Sequence, residues 1–297
     1  MKLRAVADRP YSADAIHIVN LNGGEIEFVP MRKTIKALGA LFLLLVLPCR
    51  SSAQTSSLPS IDGVLARVSK NIQDFQDLLP DFVCTEKITS TRYEKNGLIA
   101  VKRVVDSTFT GLQKYDGNGH SYVELRTIEM VDGLPAYKGQ DMPTLPFRYG
   151  GGFSSAVIST FTRESLESRT FKLAGTASIG AASTLLVEYA TKNGQKKLMF
   201  ESMGKKVVLK DTGKAWIDPA SMQVLRLERH FLDFPNFEKF STLIDYGETE
   251  IGGKVFWMPK IVRADAIDGT RKVPIAYLAE YSNCRRYTAT LELKFEQ

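Results

Sequence analysis

From Phe82 onward, hydrophobic and polar residues alternate in short runs, which is the period expected of β-strands. The runs are rich in β-branched and aromatic residues, and dipeptides such as Asn-Gly, Asp-Gly and Gly-Gly, which favour hairpin turns, separate them. The last run, RRYTATLELKF, is the clearest, because its apolar and polar residues fall on opposite faces. One buried and one wetted face in each strand predicts an antiparallel sheet.

Two segments depart from this alternation and predict helices. Residues 61–79 carry apolar side chains at intervals of three or four, with Ser60 as N-cap and Pro80 as the stop. A second amphipathic helix is predicted from Phe153 to about Leu166, after the run Gly150-Gly151-Gly152. Because a long sheet with one apolar face must curl, stack or be covered, these helices are the available cover. The pattern predicts an α+β fold, mainly antiparallel β, with about ten strands, an N-terminal helix and a second lid helix.

Residues 31–53 follow the three-part pattern of a secretory signal. Three basic residues precede an apolar run from Leu38 to Leu47, and small residues lead to a cleavage site before Gln54. The run has about half the length of a membrane-spanning helix, so a cleaved signal is favoured over an uncleaved anchor or a buried helix. Cys49 raises the alternative of a lipoprotein signal, but bulky residues precede it where small ones are preferred.

This segment divides the chain and assigns its compartment. Residues 1–30 are predicted to be a wrongly assigned upstream start or a disordered extension, and residues 54–297 to be a single antiparallel β domain. We expect a periplasmic or secreted protein with no transmembrane span after cleavage. The formal net charge of +6 includes four basic residues from the signal, and no basic stripe follows, so no nucleic-acid partner is expected.

The mature chain keeps two cysteines, Cys84 and Cys284. An even count in an exported protein favours a disulfide, which would tie the first predicted strand to the last, over two separate buried thiols. The disulfide would close a loop of about 200 residues, which in the chain-entropy model stabilises the folded state by at most about 5 kcal/mol. Only two histidines, His120 and His230, remain, and their spacing is not that of metal ligands, so neither a metal site nor a cofactor is expected.

The stretches KAWIDPASMQVLRLE and STLIDYGETEIGGKVFWMPKIV resemble strand pairs of the bacterial lipoprotein-localisation-factor (LolA/LolB-like) superfamily. The elements that carry the resemblance are an Asp-Pro turn, a strand with Leu-Arg, a Gly-Gly hairpin and an aromatic-Pro step. They correspond to Trp216, Asp218, Pro219, Leu225, Arg226, Gly252, Gly253, Trp257 and Pro259. The segments LPDFVCTE and YSNCRRY also resemble features of secreted bacterial proteins. The pair Cys84 and Cys284 is a departure from the best-known lipoprotein carriers of that superfamily.

This resemblance implies a curved open barrel that holds an apolar cavity under helical lids. It also implies a non-enzymatic protein that carries or senses a lipid or a lipoprotein acyl chain, with an envelope protein as a further possible partner. The six candidate cavity residues are Phe153, Val157, Ile158, Phe161, Phe231 and Phe237. The glycine run before Phe153 is interpreted as a hinge for the lid helix, with a plain loop before a packed helix as the alternative. With Arg148 it could also form an anion cradle.

The segment HFLDFPNFEKF contains four phenylalanines at intervals of three, which suits neither a regular strand nor a helix. A turn at Asp233–Asn236 with aromatic residues on both arms is therefore predicted. The aromatic residues could pack across the hairpin. Alternatively, they could form a rim that contacts cargo, membrane or a partner.

No catalytic motif stands out. The triplet Asp211-Thr212-Gly213 matches that of aspartic proteases, but this chemistry needs two carboxylates, and a tight turn between strands is predicted instead. Glu228 and His230 share a strand face with Arg226, which favours a solvated charged face over an acid–base pair. The leading hypothesis is a binding protein. An envelope structural or interaction protein with a filled core, and an enzyme of unrecognised type, remain alternatives.

Overall fold

Twelve strands and three helices make up the described part of the chain, which in this computed structural model comprises residues 58–115, 120–150, 153, 155–195, 198–202 and 205–288. The predictions for residues 1–30 and 31–53, and for most of the C-terminal run RRYTATLELKF, lie outside these residues. In the described ranges, no helix has both the length and the apolar character needed to cross a membrane.

The strands form one sheet in which all neighbours pair antiparallel. They are β1 (Phe82–Tyr93), β2 (Ile99–Tyr115), β3 (His120–Val131), β4 (Leu134–Pro135), β5 (Arg169–Ile179), β6 (Ala182–Thr191), β7 (Leu198–Ser202), β8 (Lys205–Ile217), β9 (Val224–Leu232), β10 (Phe237–Ile251), β11 (Lys254–Asp268) and β12 (Pro274–Arg286). The order is β4-β3-β2-β1-β12-β11-β10-β9-β8-β6-β5, and β7 pairs with the start of β8. The sheet is open, and the predicted mainly antiparallel fold class is confirmed.

Alternation along the strands produces one buried face. On β10, for example, Phe240, Thr242, Ile244 and Tyr246 are buried, while the residues between them are partly exposed. The same period runs through β11 and β12, so their buried side chains join one hydrophobic core. We call the covered side of the sheet its inner face.

The first helix, α1, spans Ile61–Leu78 and confirms the prediction at both ends. The Ser60 hydroxyl accepts a hydrogen bond from the backbone N–H of Gly63 at 3.2 Å, so it caps the helix. The last helical residue is Leu78, and Leu79 adopts an extended backbone, because a residue that precedes a proline disfavours helical geometry. Its apolar stripe, which includes Val64 and Val68, is buried.

The predicted second helix is two short helices, α2 (Ser155–Phe161) and α3 (Arg163–Ser168), and Phe153 precedes them in a turn. The prediction of one continuous helix from Phe153 to Leu166 is therefore corrected. Thr162 adopts an extended backbone, with ψ of 156°, and its hydroxyl hydrogen-bonds to the Ser165 hydroxyl at 3.0 Å. A threonine side chain that bonds locally competes with the helix, which accounts for the break.

Helix α1 contacts strands near both ends of the sheet, β3 and β5, and packs on α2. Tyr122 of β3 donates a hydrogen bond to the carbonyl of Leu79 at 2.9 Å. At mid-helix, the Asn71 amide donates to the carbonyls of Ser221 and Met222, at 3.0 and 2.9 Å, in the turn between β8 and β9. The helix is thus fixed to the rim of the sheet by polar contacts at two points.

The Asp211-Thr212-Gly213 triplet lies inside β8 and is not a turn, which corrects the prediction. Gly213 permits this, because a Cβ there would lie 2.0 Å from the carbonyl oxygen of Glu228 and 2.5 Å from the hydroxyl of Tyr189. The neighbouring backbone and the tyrosine ring occupy the space that a side chain would need. The glycine therefore marks a close approach of packed atoms within a strand.

The predicted disulfide is confirmed: Cys84 of β1 is bonded to Cys284 of β12, with an S–S distance of 2.02 Å. The two strands are also neighbours in the sheet. The predicted turn at Asp233–Asn236 lies between β9 and β10, and Asp233 and Asn236 both have positive φ angles. Asp and Asn tolerate that conformation better than most residues do.

Candidate functional site

An apolar groove of about 190 Å³ lies between α1, α2, the β8–β9 turn and strands β10 and β11. Its apolar lining is formed by Val68, Ile72, Phe75, Leu78, Val157, Met222, Val224, Val255, Phe256 and Trp257. The helical stripe of α1 forms one wall, and the ends of β10 and β11 form the other. The groove arises where the helix crosses the sheet rim, because a cylinder on a twisted sheet leaves space beside the contact line.

Two exposed apolar side chains lie at the mouth of the groove. Leu78 and Val255 line it and are 54% and 59% exposed. Asp74 also lines the groove, but its carboxylate is paired with Lys70, one turn earlier on α1. The Asn71 amide is used by the β8–β9 turn. An apolar surface that remains in contact with water favours ligands that water excludes.

Tyr246 lines the inner part of the groove and is only 9% exposed. The backbone N–H of Val157 approaches its buried hydroxyl oxygen, but the O–H itself donates a hydrogen bond to no group in the described ranges. Burial raises the pKa of Tyr246, so the hydroxyl is neutral and able to donate at physiological pH. A buried hydroxyl without a partner costs free energy, which makes Tyr246 a candidate for contact with a ligand.

Beside this end of the groove, a buried ion cluster joins three strands. Arg169 of β5 and Arg229 of β9 both bind the Asp211 carboxylate of β8, with N–O distances of 3.0 and 3.1 Å. The Thr191 hydroxyl donates a further hydrogen bond to Asp211 at 2.7 Å. Two guanidinium groups thus share one carboxylate. Burial lowers the pKa of Arg169, and the adjacent Arg229 adds to that effect.

Arg229 also reaches α2. Its Nη1 donates to the carbonyl of Ala156 at 3.3 Å and to the hydroxyl of Ser159 at 3.1 Å. Val157, the residue after Ala156, lines the groove. The same helical turn therefore touches the ion cluster with its backbone and the groove with a side chain.

The structure distributes the six predicted cavity residues over several places. Val157 lines the groove, and Ile158 is partly buried against the core. Phe153 is buried among the rings of Phe82, Phe109 and Tyr281. The buried ring of Phe161 lies against Phe171 and Tyr189. Phe231 stacks on Phe240, with a centroid distance of 4.6 Å, and Phe237 lies in the same cluster.

Several groove residues were not among the sequence candidates. Val68, Ile72 and Phe75 belong to the apolar stripe that predicted α1, but a stripe does not reveal whether it meets packed side chains or a void. Nothing in the sequence marked Tyr246 as a groove residue, because its place in the alternating pattern is that of any buried strand residue. The Glu228–His230 pair and Arg148, which are the remaining candidates from the sequence, do not line the groove.

Two of those remaining candidates are surface features. Glu228 and His230 lie on the outer face of β9, 2.6 Å apart, and His230 is exposed, as predicted for a solvated charged face. Arg148 and Gly150 are exposed, whereas Gly151 and Gly152 lie outside the described residues. No group of three or more metal-binding side chains occurs in the parts of the chain that the structure describes.

The open antiparallel sheet, with an N-terminal helix and short helices on its inner face, agrees with the mainly antiparallel architecture that the sequence predicts. No family model and no curated protein sequence matches this chain. Solved structures similar to it include a DUF1329 family protein from Desulfovibrio piger, with 13% identity and a TM-score of 0.42 over 79% of this chain and 96% of that one.

Two other solved structures are also similar to this chain. One is a domain assigned to outer membrane lipoprotein sorting from Vibrio parahaemolyticus, with 12% identity and a TM-score of 0.37 over 78% of this chain and 95% of that one. The other is a LolA superfamily protein from Nitrosomonas europaea, with 9% identity and a TM-score of 0.33 over 76% of this chain and 94% of that one.

Proposed function

We propose that this protein is an exported, non-enzymatic binding protein that accommodates a hydrophobic ligand, a lipid or an acyl chain, in the groove beside α1. The observation that carries the proposal is the groove itself, with its apolar walls and its exposed apolar mouth at Leu78 and Val255. The signal-like segment at residues 31–53 and the Cys84–Cys284 disulfide support a periplasmic or secreted location.

The size of the groove bears on how a ligand would fit. Its volume of about 190 Å³ is below the roughly 300–1,000 Å³ of typical small-molecule pockets. A long acyl chain would therefore need α1 to move outward or would leave part of its length outside. Such a movement would break the hydrogen bonds between α1 and the β8–β9 turn and would also expose part of the buried stripe around Val68 and Ile72, so a ligand would have to cover that surface.

The dense aromatic packing around Phe153, Phe161 and Phe231 favours a second candidate, an envelope structural or interaction protein with a filled core. In that case the groove would be a surface irregularity without a ligand. The two candidates differ in one measurable property, the saturable binding of an amphiphile at the groove.

Tryptophan fluorescence provides the test. The chain has two tryptophans, Trp216 on β8 and Trp257 in the groove, so a Trp216→Phe variant keeps only the groove reporter. A fatty acid with a nitroxide on its chain should quench Trp257 saturably if the groove is the site. In the same background, Val157→Phe should weaken binding by about tenfold or more, since it narrows the groove.

A matched control is available in Val123→Phe, the same change at a position on β3 that is 40% exposed and does not line the groove. It should leave the quenching curve unchanged. Mass spectrometry of material extracted from protein purified out of its native envelope would identify a resident amphiphile. Absence of both saturable quenching and a co-purifying amphiphile would reject the binding function in favour of the filled-core alternative.

A further inference from the structure

The inner end of the groove combines an unsatisfied hydroxyl with a buried excess of positive charge. Tyr246 lines the groove and is nine-tenths buried, and although the backbone N–H of Val157 approaches its hydroxyl oxygen, the O–H donates to no group in the described part of the chain. Arg229 is buried in the adjacent ion cluster and acts electrostatically on Tyr246. The two side chains are thus within electrostatic reach of each other.

The charge of the cluster follows from its composition. Arg169 and Arg229 each carry one positive charge, and the Asp211 carboxylate that both bind carries one negative charge. Arg229 also acts electrostatically on Tyr189 and Tyr246. Both tyrosines are neutral, because burial raises their pKa values. A buried charge without a counter-charge is costly, so an anion at this end of the groove would be stabilised.

The mouth of the groove has the opposite character. Leu78 and Val255 present apolar surface there, and the carboxylate of Asp74 faces the groove from α1. Asp74 is paired with the exposed Lys70, which partly neutralises the negative charge of Asp74 at the mouth but does not make the mouth positive. An anionic group would gain nothing at this mouth, whereas an alkyl chain would bury apolar area against it.

We propose that the groove binds an amphiphile with one anionic head group, oriented with the head at the Tyr246 hydroxyl beside Arg229 and the alkyl tail toward Leu78 and Val255. This inference rests on the proposed binding function and names the class of ligand. The Tyr246 O–H would donate to the head-group oxygen, and Arg229 would supply the field without leaving Asp211. A carboxylate and a phosphate monoester share this chemistry.

The test compares ligands that differ only in the head group. In the Trp216→Phe protein, dodecanoate, methyl dodecanoate and dodecyl phosphate each compete with an uncharged nitroxide-labelled ester that quenches Trp257. Dodecanoate or dodecyl phosphate, or both, should bind at least about tenfold more tightly than methyl dodecanoate. The tighter of the two anions identifies the head group as carboxylate or phosphate.

Tyr246→Phe isolates the hydroxyl. The Tyr246 O–H would bond a charged oxygen more strongly than an ester carbonyl, so in this variant the anion-to-ester ratio of affinities should fall by about fivefold or more, while binding of the ester weakens less. Removing an unpaired buried hydroxyl does not destabilise the fold, and a thermal melt checks this. Tyr277→Phe, at a buried tyrosine of β12 outside the groove, is the matched control and should leave the ratio intact.

The outcomes separate the inference from the function on which it rests. Equal affinity for the ester and both anions, or a ratio that Tyr246→Phe does not change, would overturn the anionic-head inference and leave hydrophobic binding standing. Failure of all three ligands to displace the probe, together with no saturable quenching by the probe itself, would overturn the binding function. A ratio above tenfold that falls in Tyr246→Phe but not in Tyr277→Phe supports the inference.

Discussion

The Asp211 carboxylate holds two buried arginines, and its replacement by asparagine tests how much stability that arrangement contributes. Asp211 is completely buried and binds Arg169 and Arg229 at 3.0 and 3.1 Å. Asparagine keeps the shape but removes the charge, and its amide N–H₂ group would face a guanidinium donor. Both arginines would then remain buried without a counter-ion.

The expected loss of stability in Asp211→Asn follows from the two arginine charges that it leaves without a counter-charge. Removing one partner of a buried ion pair typically costs about 3–5 kcal/mol, because the remaining charge stays desolvated. Asp245 offers an internal comparison, since it also binds two arginines, Arg226 at 2.5 Å and Arg263 at 3.0 Å, on the outer face. Its side chain is 20% exposed and its partners more so, so water can solvate them and Asp245→Asn should cost about 1 kcal/mol or less.

Guanidinium chloride unfolding, followed by tryptophan fluorescence at neutral pH, measures both variants against the parent protein. The expected result is a large fall in the unfolding midpoint for Asp211→Asn and a small one for Asp245→Asn, with unchanged slopes. Equal losses in the two variants would refute the assignment of the cost to burial. A loss below about 1 kcal/mol for Asp211→Asn would refute the claim that the buried arginines need this carboxylate.

Three further predictions concern stability. Gly213→Ala should lower the free energy of unfolding by about 3 kcal/mol or more, because the new Cβ would lie 2.0 Å from the Glu228 carbonyl oxygen. Thermal melting and soluble yield measure this loss, and a melting temperature close to that of the parent would contradict it. Replacing Cys84 and Cys284 with alanine should cost about 2–5 kcal/mol in denaturant unfolding, and the parent under reducing conditions should behave alike. Burial raises the pKa of Asp265 to about 6, above the roughly 3.9 of the unfolded chain, so the parent loses stability as pH rises from 4 to 6. Asp265→Asn should therefore raise stability by about 1–3 kcal/mol at pH 7.5 and leave it unchanged near pH 4, and an equal effect at both pH values would exclude this cause.

Local chemistry made much of the fold predictable. Period-two alternation identified the strands, and the Ser60 cap and Pro80 stop set the ends of α1, because these signals act within a few residues. The break at Thr162 was missed, since the apolar spacing on both sides of it still fits a single helix. The Asp211–Gly213 triplet was assigned to a turn from composition, whereas close packing against Tyr189 is what requires its glycine.

The site was less predictable, because its residues come together only through strand pairing. Arg169, Asp211 and Arg229 lie on three strands, and nothing in the sequence states which strands are neighbours or in what register. Four of the six candidate cavity residues follow the glycine run at 150–152, and the other two, Phe231 and Phe237, belong to the phenylalanine-rich segment that spans the end of β9 and the start of β10. Residues such as Phe153 and Phe161 fill space efficiently, and whether they fill or line a cavity depends on neighbours distant in sequence.

The position of β12 has a consequence for the order of folding. This strand, formed by Pro274–Arg286, lies between β1 and β11 and is the link between the meander β1–β4 and the remainder of the sheet. Whether the chain emerges from the ribosome or from a translocation channel, the meander cannot join the other strands until β12 has also emerged. Such late, long-range closure slows folding and leaves the edge of β1 unpaired in the nascent chain. A truncation before Pro274 would accordingly separate the sheet into two pieces, each with a newly exposed edge.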